Sequence, residues 1–405
     1  MIYKMGELVS IIDGDRGKNY PKQDEFMDNG YCVFLDTGNV TKTGFSFENV
    51  HFITEEKCNV LRNGKMQKGD LAYTTRGTVG NVAYYNELIP YEHIRINSGM
   101  VILRANTEIV DASFLYQLLK HDKYRNYFKQ YCTGSAQPQL PIKNFSQIEL
   151  DVPQIEVQQK IGKILSTYDN LIANNRKQIK LLEEAVQRLY KEWFVDLRFP
   201  GYEGMEIVDG VPVGWKYKIV SDFGEVITGK TPSTSKDDYY GGNIPFVTIP
   251  DMHGNVYPLK TEKSLTKLGA DTQKNKYLPK NSVIVSCIAT VGLVNIAVES
   301  CQTNQQINSV ILNNDDDLYF FYESMLRIKA LLDGVGSNGA TMTNVNKTKF
   351  SNIKVLYPTE DLVIKYRNFC SPIFEKILEL SKAFIKLEQA RDRLLPKLMN
   401  GEIEV

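Results

Sequence analysis

The stretch of this chain that most resembles a catalytic motif is GEVITGKT, residues 224–231. It fits G-x-x-x-x-G-K-[ST], in which glycine-rich backbone wraps phosphates and the Lys-Thr pair opens a helix, so it would indicate a nucleotide-binding enzyme. The β-branched residues Val226, Ile227 and Thr228 favour an extended strand instead. A turn-rich run, PSTSKDDYYGG, follows Thr231 where the helix should begin. We predict a strand and a polar loop here and keep an ATPase using Lys230 as an alternative.

Two other patterns would indicate chemistry on nucleic acid. NIPF at 243–246 resembles the NPPF with which amino-methyltransferases hold a flipped base, but its first proline is absent and no glycine-rich cofactor loop precedes it. Pro250-Asp251 would need a later Glu-x-Lys to hold a hard cation, and Glu262 is followed directly by Lys263. No G-x-S-x-G is present, and the four histidines have no motif context. We predict that the chain has no catalytic residue and no metal site.

Composition limits the class of protein. The 405 residues suggest two or three domains, and 48 Lys and Arg balance 48 Asp and Glu, so any contact with nucleic acid must come from local patches. The six cysteines contain no Cys-x-x-Cys pair, which argues for reduced thiols and against structural zinc. There is no apolar run near the roughly 18 residues that span a bilayer, and no signal-peptide layout. We expect a soluble, cytoplasmic protein.

The sequence contains an internal repeat, which predicts two domains of the same architecture. Matches at an offset of 212 residues are TVG at 78–80 and 290–292, Gly30 and Gly242, and Phe34 and Phe246. Matches at other offsets are Gly6-Glu7 with Gly224-Glu225 at 218, VIL at 101–103 with VIL at 310–312 at 209, and Phe145-Ser146 with Phe350-Ser351 at 205. Small shifts of this kind are typical of loop insertions. Short apolar runs between turn residues predict strands in each copy.

Each copy ends in a long segment with the apolar seam of a coiled coil, in alternating steps of four and three residues. Because each stripe needs a partner and the other copy supplies one, we predict that the two helices pair. Asn175 either sets their register or faces a solvated end, Arg391 is the polar exception in the second seam, and Pro372 predicts a bend or a restart. The predicted seam residues are Ile161, Leu165, Tyr168, Ile172, Ile179, Leu182, Leu189, Ile377, Leu380, Phe384, Leu387 and Leu394.

The expected fold class is α+β, with two repeated α/β domains joined by two long antiparallel coiled-coil helices and pseudo-two-fold symmetry. The predicted boundaries are 1–152 for the first domain, 153–195 for the central helix, 196–214 for a linker, 215–358 for the second domain and 359–405 for the C-terminal helix.

At these residues the chain resembles the specificity subunits of type I restriction-modification enzymes, over essentially its whole length. The resemblance rests on several patches in the right order: GDLAYTTRGTVG, GSAQPQL, GKTPS followed by YYGGNIPFV, and the terminal LLPKLMNGEI. It implies two target-recognition domains, each reading one half of a bipartite DNA sequence, and paired helices that set the gap. It also implies that this chain is non-catalytic and joins two modification (methyltransferase) subunits and then restriction (motor-nuclease) subunits. S-adenosylmethionine, ATP and magnesium would belong to those partners.

Six polar loops are the candidates for DNA contact: 13–22, 74–81, 134–140, 229–243, 302–308 and 334–347. Gln, Asn and Arg pair with base edges, whereas Lys, Ser, Thr and backbone amides suit phosphates. In the 212 register Arg76 faces Ile288 and Gly77 faces Ala289, so the frame repeats while the side chains differ. By residue type we predict contacts from Arg16, Lys18, Tyr20, Arg76 and Gln137 in the first domain, and from Lys230, Tyr239, Gln302, Gln305, Asn344 and Lys347 in the second. A pure assembly scaffold, whose domains bind protein, is the alternative.

Overall fold

The computed structural model describes residues 1–134, 137–328, 344–399 and 402–404. The chain divides into two compact units, each with its own hydrophobic core. Unit 1 comprises Met1–Ile172 and Lys386–Val405, and unit 2 comprises Ala173–Ile385. Each unit therefore contains one α/β domain and a part of both long helices. The finer domain boundaries given above stay predictions.

Unit 1 combines short helices with antiparallel and mixed sheets. Its strands are β1 (Ile2–Lys4), β2 (Val9–Asp13), β3 (Cys32–Leu35), β4 (Val40–Thr41), β5 (Gly44–Phe45), β6 (His51–Ile53), β7 (Leu71–Thr74), β8 (Val82–Tyr84), β9 (Ile94–Ile96), β10 (Met100–Ala105) and β11 (Glu149–Asp151). Its short helices are α1 (Met5–Leu8), α2 (Glu55–Val60), α3 (Ala112–Lys120), α4 (Asp122–Lys129) and α5 (Ile142–Ser146). The strands form a four-stranded antiparallel sheet with the order β2-β10-β7-β8 and a three-stranded sheet with the order β6-β3-β9. Two-stranded pairs β1-β11 and β4-β5 complete the unit.

The central sheet of unit 1 is covered on both faces, because successive residues of a strand point to opposite sides. Leu71 and Tyr73 of β7 pack in the cluster that contains helix residues such as Phe114 of α3. Ala72, between them, points to the other face and packs in the cluster that contains Val33 of the three-stranded sheet. All four residues of β7 are buried, so the strand lacks the alternation of apolar and polar residues that is typical of a half-buried strand.

Unit 2 repeats this topology. Its strands are β12 (Ile207–Val208), β13 (Val211–Pro212), β14 (Lys216–Ile219), β15 (Gly224–Thr228), β16 (Tyr240–Val247), β17 (Lys263–Leu265), β18 (Val283–Ser286), β19 (Val294–Ile296), β20 (Gln302–Thr303), β21 (Ile307–Leu312) and β22 (Lys354–Tyr357). The four-stranded sheet has the order β15-β21-β18-β19, the three-stranded sheet has the order β17-β16-β20, and β14-β22 and β12-β13 pair separately. The long helix α6 (Ile155–Tyr190) precedes this unit's short helices, which are α7 (Val220–Phe223), α8 (Ile249–Met252), α9 (Lys267–Asp271), α10 (Leu318–Leu326) and α11 (Lys347–Ser351).

Strand register corrects one of the predicted repeat matches. Val9 pairs with Ala105 at the edge of the unit 1 sheet, and Gly224 pairs with Leu312 in unit 2. Val9 is therefore the counterpart of Gly224, at an offset of 215, and the predicted match of Gly6 with Gly224 is wrong because Gly6 lies in α1. A sequence match of two residues cannot distinguish neighbouring positions, whereas the ladder of hydrogen bonds can.

A second predicted match is corrected in the same way. Leu103 faces Leu71 in unit 1, and Val310 faces Val283 in unit 2. Leu103 and Val310 are therefore counterparts at an offset of 207, whereas the predicted match of the two VIL runs had an offset of 209.

Two long helices cross both units: α6, followed by a π-helical turn at Lys191–Val195, and α12 (Glu360–Met399). In unit 2 the ring of Phe384 lies 4.9 Å from the guanidinium of Arg176, and the rings of Tyr190 and Tyr366 lie 6.1 Å apart. Residue numbers that rise along α6 therefore meet numbers that fall along α12. The predicted antiparallel helix pair is confirmed.

Helix α12 does not restart at Pro372, contrary to one of the two expectations for that residue. A proline removes the hydrogen bond to the carbonyl four residues earlier. Both Pro372 and Asn368 are exposed, so water can satisfy that carbonyl. The segment predicted as a linker also carries structure: it forms the hairpin β12-β13, and Phe199 is buried 5.2 Å from Trp215. Among the described residues no helix is long and apolar enough to span a membrane.

Candidate functional site

The predicted contact loops meet at a turn that follows the same central strand in each unit. In unit 1 the turn follows β7, where the Thr74 hydroxyl donates to the carbonyl of Thr78 at 2.5 Å. In unit 2 it follows β18, where the Ser286 hydroxyl donates to the carbonyl of Thr290 at 2.5 Å. Ser and Thr side chains close turns in this way by bonding to nearby backbone. This matched pair of hydrogen bonds confirms the 212-residue repeat that TVG predicts.

The backbone of the turn is repeated even where the residue type is not. Gly77 has φ +69°, and its counterpart Ala289 has φ +64°. Alanine in this left-handed region costs about 1–2 kcal/mol, which the surrounding framework must offset. The preceding residue is Arg76 in unit 1 and Ile288 in unit 2. One backbone shape thus presents two different side chains.

A second candidate loop joins this turn in unit 1. Arg76 and Gln139 form an antiparallel bridge, and the amide of Leu140 donates to the carbonyl of Thr75 at 2.9 Å. Residues 135–136 of this loop lie outside the described part of the chain.

Unit 2 makes the same junction. Ile288 and Asn344 form an antiparallel bridge, and the amide of Val345 donates to the carbonyl of Cys287 at 2.7 Å. Positions 334–343 of the predicted loop 334–347, and 400–401 of the terminal LLPKLMNGEI patch, lie outside the described residues.

A third loop of unit 1 reaches the same place. Arg16 is exposed, pairs with Asp13 at 3.0 Å and donates to the carbonyl of Ser98 at 3.3 Å. The amide of Arg76 donates to the neighbouring carbonyl of Gly99 at 3.2 Å. The unit 1 framework therefore brings the loops that carry Arg16, Arg76 and the exposed Gln137 together.

The remaining two predicted residues of unit 1 differ in exposure. Lys18 is exposed. Tyr20 is half-buried, with its ring edge-on to Phe34 at 5.6 Å, and burial raises the pKa of its hydroxyl. Tyr20 therefore packs partly in the domain, and the rest of its side chain stays accessible.

Gly229 of the GKT run has a packing role. A Cβ atom at this position would lie 2.1 Å from the carbonyl oxygen of Asn304. Its counterpart Gly14, at the offset of 215, would place a Cβ atom 2.2 Å from the carbonyl oxygen of Asn97. Both units thus need glycine here because two backbone segments touch.

The same segment lacks the features of a nucleotide loop. The amides of Gly229 and Lys230, which would have to cradle phosphates, donate to the carbonyls of Ile307 at 3.0 Å and Thr303 at 2.9 Å. No α-helix opens at Thr231, and the next regular element in the described chain is the 3-10 turn Asp237–Tyr239. These contacts oppose the ATPase alternative.

Four predicted residues of unit 2 are available to a ligand. Lys230, Gln305, Asn344 and Lys347 are all exposed, and Gln305 accepts a hydrogen bond from the hydroxyl of Thr231 at 2.7 Å. That bond links the first two candidate loops of unit 2, and the bridge described above brings Asn344 to the adjoining turn.

The two aromatic residues considered in unit 2, Tyr239 and Phe246, are less accessible to a ligand. The hydroxyl of Tyr239 accepts from Lys236 at 3.1 Å, and its ring is half-buried. Phe246 of the NIPF run is 2% exposed in β16, so it has no face for a flipped base. It occupies the place of Phe34 in β3, as predicted for a core strand.

Gln302 is a correction to the predicted contact residues, because it is 0% exposed. Its amide donates to the carbonyl of Ala270 at 3.0 Å and its oxygen accepts from Gln273 at 2.8 Å. Its counterpart Arg95 is also buried and donates to the carbonyl of Leu61 at 2.9 Å. Both side chains satisfy carbonyls at the C-terminal end of a short helix, which is a structural task. Residue type alone could not separate this use from base reading.

The helix seam lies where the heptad pattern predicts it. The buried seam residues are Ile161, Leu165, Ile172, Ile377 and Leu380, and the half-buried ones are Tyr168, Ile179, Leu182, Leu189, Phe384, Leu387 and Leu394. Asn175 is half-buried as well, and its role in register stays a prediction.

A polar cluster in unit 1 explains the exception in the second seam. Arg391 pairs with Asp169 of α6 at 2.6 Å, and Asp169 also accepts from Lys120 at 3.1 Å and from Gln117 at 2.5 Å. Sequence reasoning missed these three partners. A charged residue in an apolar seam was the available signal, because such a charge needs an opposite one nearby.

No group of His, Cys, Asp and Glu residues in the described ranges has the arrangement of a metal site. The cysteines within those ranges are free thiols, and five of the six are buried.

Comparison with known proteins gives a consistent result. The family model described as the type I restriction modification DNA specificity domain matches residues 1–184 and again residues 212–363. The specificity subunit of the type I restriction enzyme HindI from Haemophilus influenzae is 31% identical, over 96% of this chain and 98% of that protein. The specificity subunit of MjaIX from Methanocaldococcus jannaschii is 28% identical, over 87% of this chain and 82% of that protein.

The fold has also been observed before. A crystal structure of the S subunit of a type I restriction-modification system from M. genitalium matches with a TM-score of 0.62 at 13% identity. It covers 98% of this chain and 96% of the other.

Proposed function

Because this chain belongs to the family of type I restriction-modification DNA specificity subunits, we propose that it supplies the sequence specificity of such a complex. Each unit reads one half of a bipartite DNA site. The two long helices set the gap between the halves and dock two modification (methyltransferase) subunits, to which restriction (motor-nuclease) subunits then bind. The chain itself is non-catalytic in this proposal, and S-adenosylmethionine, ATP and magnesium belong to the partners.

One observation carries the proposal. The turn after β7 and the turn after β18 share hydrogen bonds and backbone angles, yet present Arg76 beside Gln139 in one unit and Ile288 beside Asn344 in the other. A repeated framework with different side chains at its tip is suited to reading two different base sequences. Arg and Gln offer bidentate bonds to guanine and adenine, Asn does so to adenine, and Ile packs on apolar atoms such as the thymine methyl.

Eight candidate contacts lie on loops that the framework holds together; Arg76 among them is half-buried, and the other seven are exposed. In unit 1 they are Arg16, Lys18, Arg76 and Gln137, and in unit 2 they are Lys230, Gln305, Asn344 and Lys347. Tyr20 and Tyr239 would act from half-buried positions. Since the chain has no net charge, we expect tight binding only with the modification subunits bound, which add their own contacts to the DNA backbone.

The scaffold alternative is separated from this proposal by one experiment. The complex of this chain with its modification subunits is footprinted on duplex DNA that contains the methylated site and on a duplex of the same composition in scrambled order. We expect protection of the first duplex at salt concentrations that release the second. Equal protection of both duplexes would support an assembly scaffold. The complex carrying Arg76→Ala and Asn344→Ala should lose the preference for the methylated site.

A further inference from the structure

Unit 1 contains a groove whose lining includes none of the predicted contact residues. Its larger cavity has a volume of about 500 Å³ and adjoins a second cavity of about 340 Å³. The two cavities share Lys42, Asp122 and Arg125 in their walls, so they form one continuous depression, here called the basic groove.

The charge of the larger cavity is positive. Lys42, Arg125 and Lys129 line it, and Asp122 is the acidic residue among the lining side chains. Asp122 is already paired with Arg125 at 3.2 Å. In a chain with 48 cationic and 48 acidic side chains, this is a local patch of the kind that a neutral protein needs to bind a polyanion.

Arg125 is held in a state that leaves donor capacity unused. It is 9% exposed, donates to Asp122 and to the carbonyl of Lys120 at 3.4 Å, and its buried Nε has no hydrogen-bond partner among the described residues. A buried donor without a partner costs about 1–3 kcal/mol, so the guanidinium at the wall of the groove is not fully satisfied by the protein's own acceptors.

The groove adjoins the loops proposed to read bases. Part of its wall comes from Gly77 and Thr78 of loop 74–81 and from Gly134 and Pro138 of loop 134–140. A Cβ atom on Gly77 would have no heavy atom within 4 Å, so the backbone there is open to a ligand. An anion in the groove would therefore lie beside Arg76, whose neighbours make this wall.

The lining chemistry favours a phosphate over a nucleobase. The larger cavity has no aromatic side chain among its lining residues, so a base would have no ring to stack on. Lysine and arginine at its wall suit phosphate oxygens. We propose that the basic groove holds the phosphate backbone of duplex DNA beside the half-site that unit 1 reads, and that it contributes affinity without reading sequence. This inference rests on the proposed function.

The test uses the complex of the full chain with its modification subunits and the double variant Lys42→Ala, Lys129→Ala. Both side chains are exposed, so the fold should be unaffected. Binding to cognate and scrambled duplexes is measured across a salt series. We expect the slope of log affinity against log salt to become shallower by about 2, roughly 0.9 for each phosphate that the variant no longer neutralises. The preference for the cognate duplex and the methylated sequence should stay unchanged.

The matched control is Lys4→Ala, Lys65→Ala, which removes two exposed lysines that neither line the groove nor lie on the long helices and should leave the slope as in the wild type. An unchanged slope in the groove variant would overturn the inference, as would a loss of cognate preference, since the groove would then read bases. Binding of free ATP that the groove variant abolishes would overturn it in favour of a mononucleotide site. If the wild-type complex itself showed no cognate preference, the proposed function would fail, and the groove inference with it.

Discussion

Asp169 of α6 and Arg391 of α12 are 222 positions apart in the chain and form an ion pair of 2.6 Å inside unit 1. Their side chains are 20% and 12% exposed. Burial acts to raise the pKa of Asp169, but the charge of Lys120, the hydrogen bond from Gln117 and the charge of Arg391 more than offset it, so the pKa is lowered. The pair therefore ties the two helices to each other and, through Lys120 and Gln117, to α3.

Removal of this carboxylate should destabilise the chain. Asp169→Asn leaves Arg391 and Lys120 partly buried without their counter-charge, and we expect a loss of about 2 kcal/mol in the free energy of unfolding. Denaturant unfolding at neutral pH measures it. The control is Asp392→Asn, because Asp392 also contacts Arg391, at 2.8 Å, but is 63% exposed and should contribute less than about 1 kcal/mol.

The same variant gives a pH test. A carboxyl whose pKa is lowered by folding contributes stability above its unfolded pKa, near 4, and loses it as the pH falls through the folded value. The difference between wild type and Asp169→Asn should therefore narrow as the pH is lowered from about 5 toward about 3. A difference that stayed constant over this range would argue against the ion pair.

Unit 2 carries the opposite electrostatic feature. Glu323 of α10 is 3% exposed, and burial together with the charge of Glu183 raises its pKa to about 8. Burial raises the pKa of Glu183 to about 7. For an acid whose pKa is raised by folding, stability is highest below the unfolded pKa and falls as the pH rises between the two values. We expect this contribution to be lost between about pH 4.5 and about pH 8.

Glu323→Gln should remove that loss. Gln117 occupies the matching position of α3 in unit 1, since α3 and α10 each have nine residues and the capping positions Asp111 and Asp317 correspond. The variant should gain on the order of 2 kcal/mol at pH 8 and little at pH 5, as read from thermal unfolding of the chain at both pH values. The exposed Glu192→Gln is the control and should show no such pH dependence. An equal effect at both pH values would point to packing instead of charge.

The GKT run should respond to mutation as a packing element. Gly229→Ala forces a Cβ atom against the carbonyl of Asn304 and should cost about 1–3 kcal/mol, and Gly14→Ala should cost a similar amount in unit 1. Gly204→Ala meets no heavy atom within 4 Å and should change stability by less than about 0.5 kcal/mol. Denaturant midpoints measure all three. Lys230→Ala should keep the wild-type midpoint, and loss of ATP binding in that variant would revive the nucleotide-site alternative.

The sequence predicted the repeat, the antiparallel helices and the strand that contains Val226 because these depend on local periodicity and on short identical patches. It could not place Gly224 in register, since two adjacent matches are compatible with several alignments and only strand pairing selects one. It assigned Gln302 to DNA by residue type. Residue type cannot show that an amide on a polar loop instead satisfies buried carbonyls, as this one does. It passed over the groove because Lys42 is far along the chain from Arg125 and Lys129 of α4 and meets them only in the folded unit.

If each unit reads its own half of a bipartite site, a change in unit 1 should alter one half of the recognised motif and leave the other half unchanged. Methylated adenines are mapped across the genome of cells that carry this chain with its modification subunits, once with the wild type and once with Arg76→Ala, Gln137→Ala. We predict a bipartite wild-type motif with a fixed gap, and relaxed specificity in one half of it only for the variant, by about 1–3 kcal/mol for each base that is no longer read. A continuous wild-type motif, or a variant that alters both halves together, would contradict the reading of one half-site by each unit.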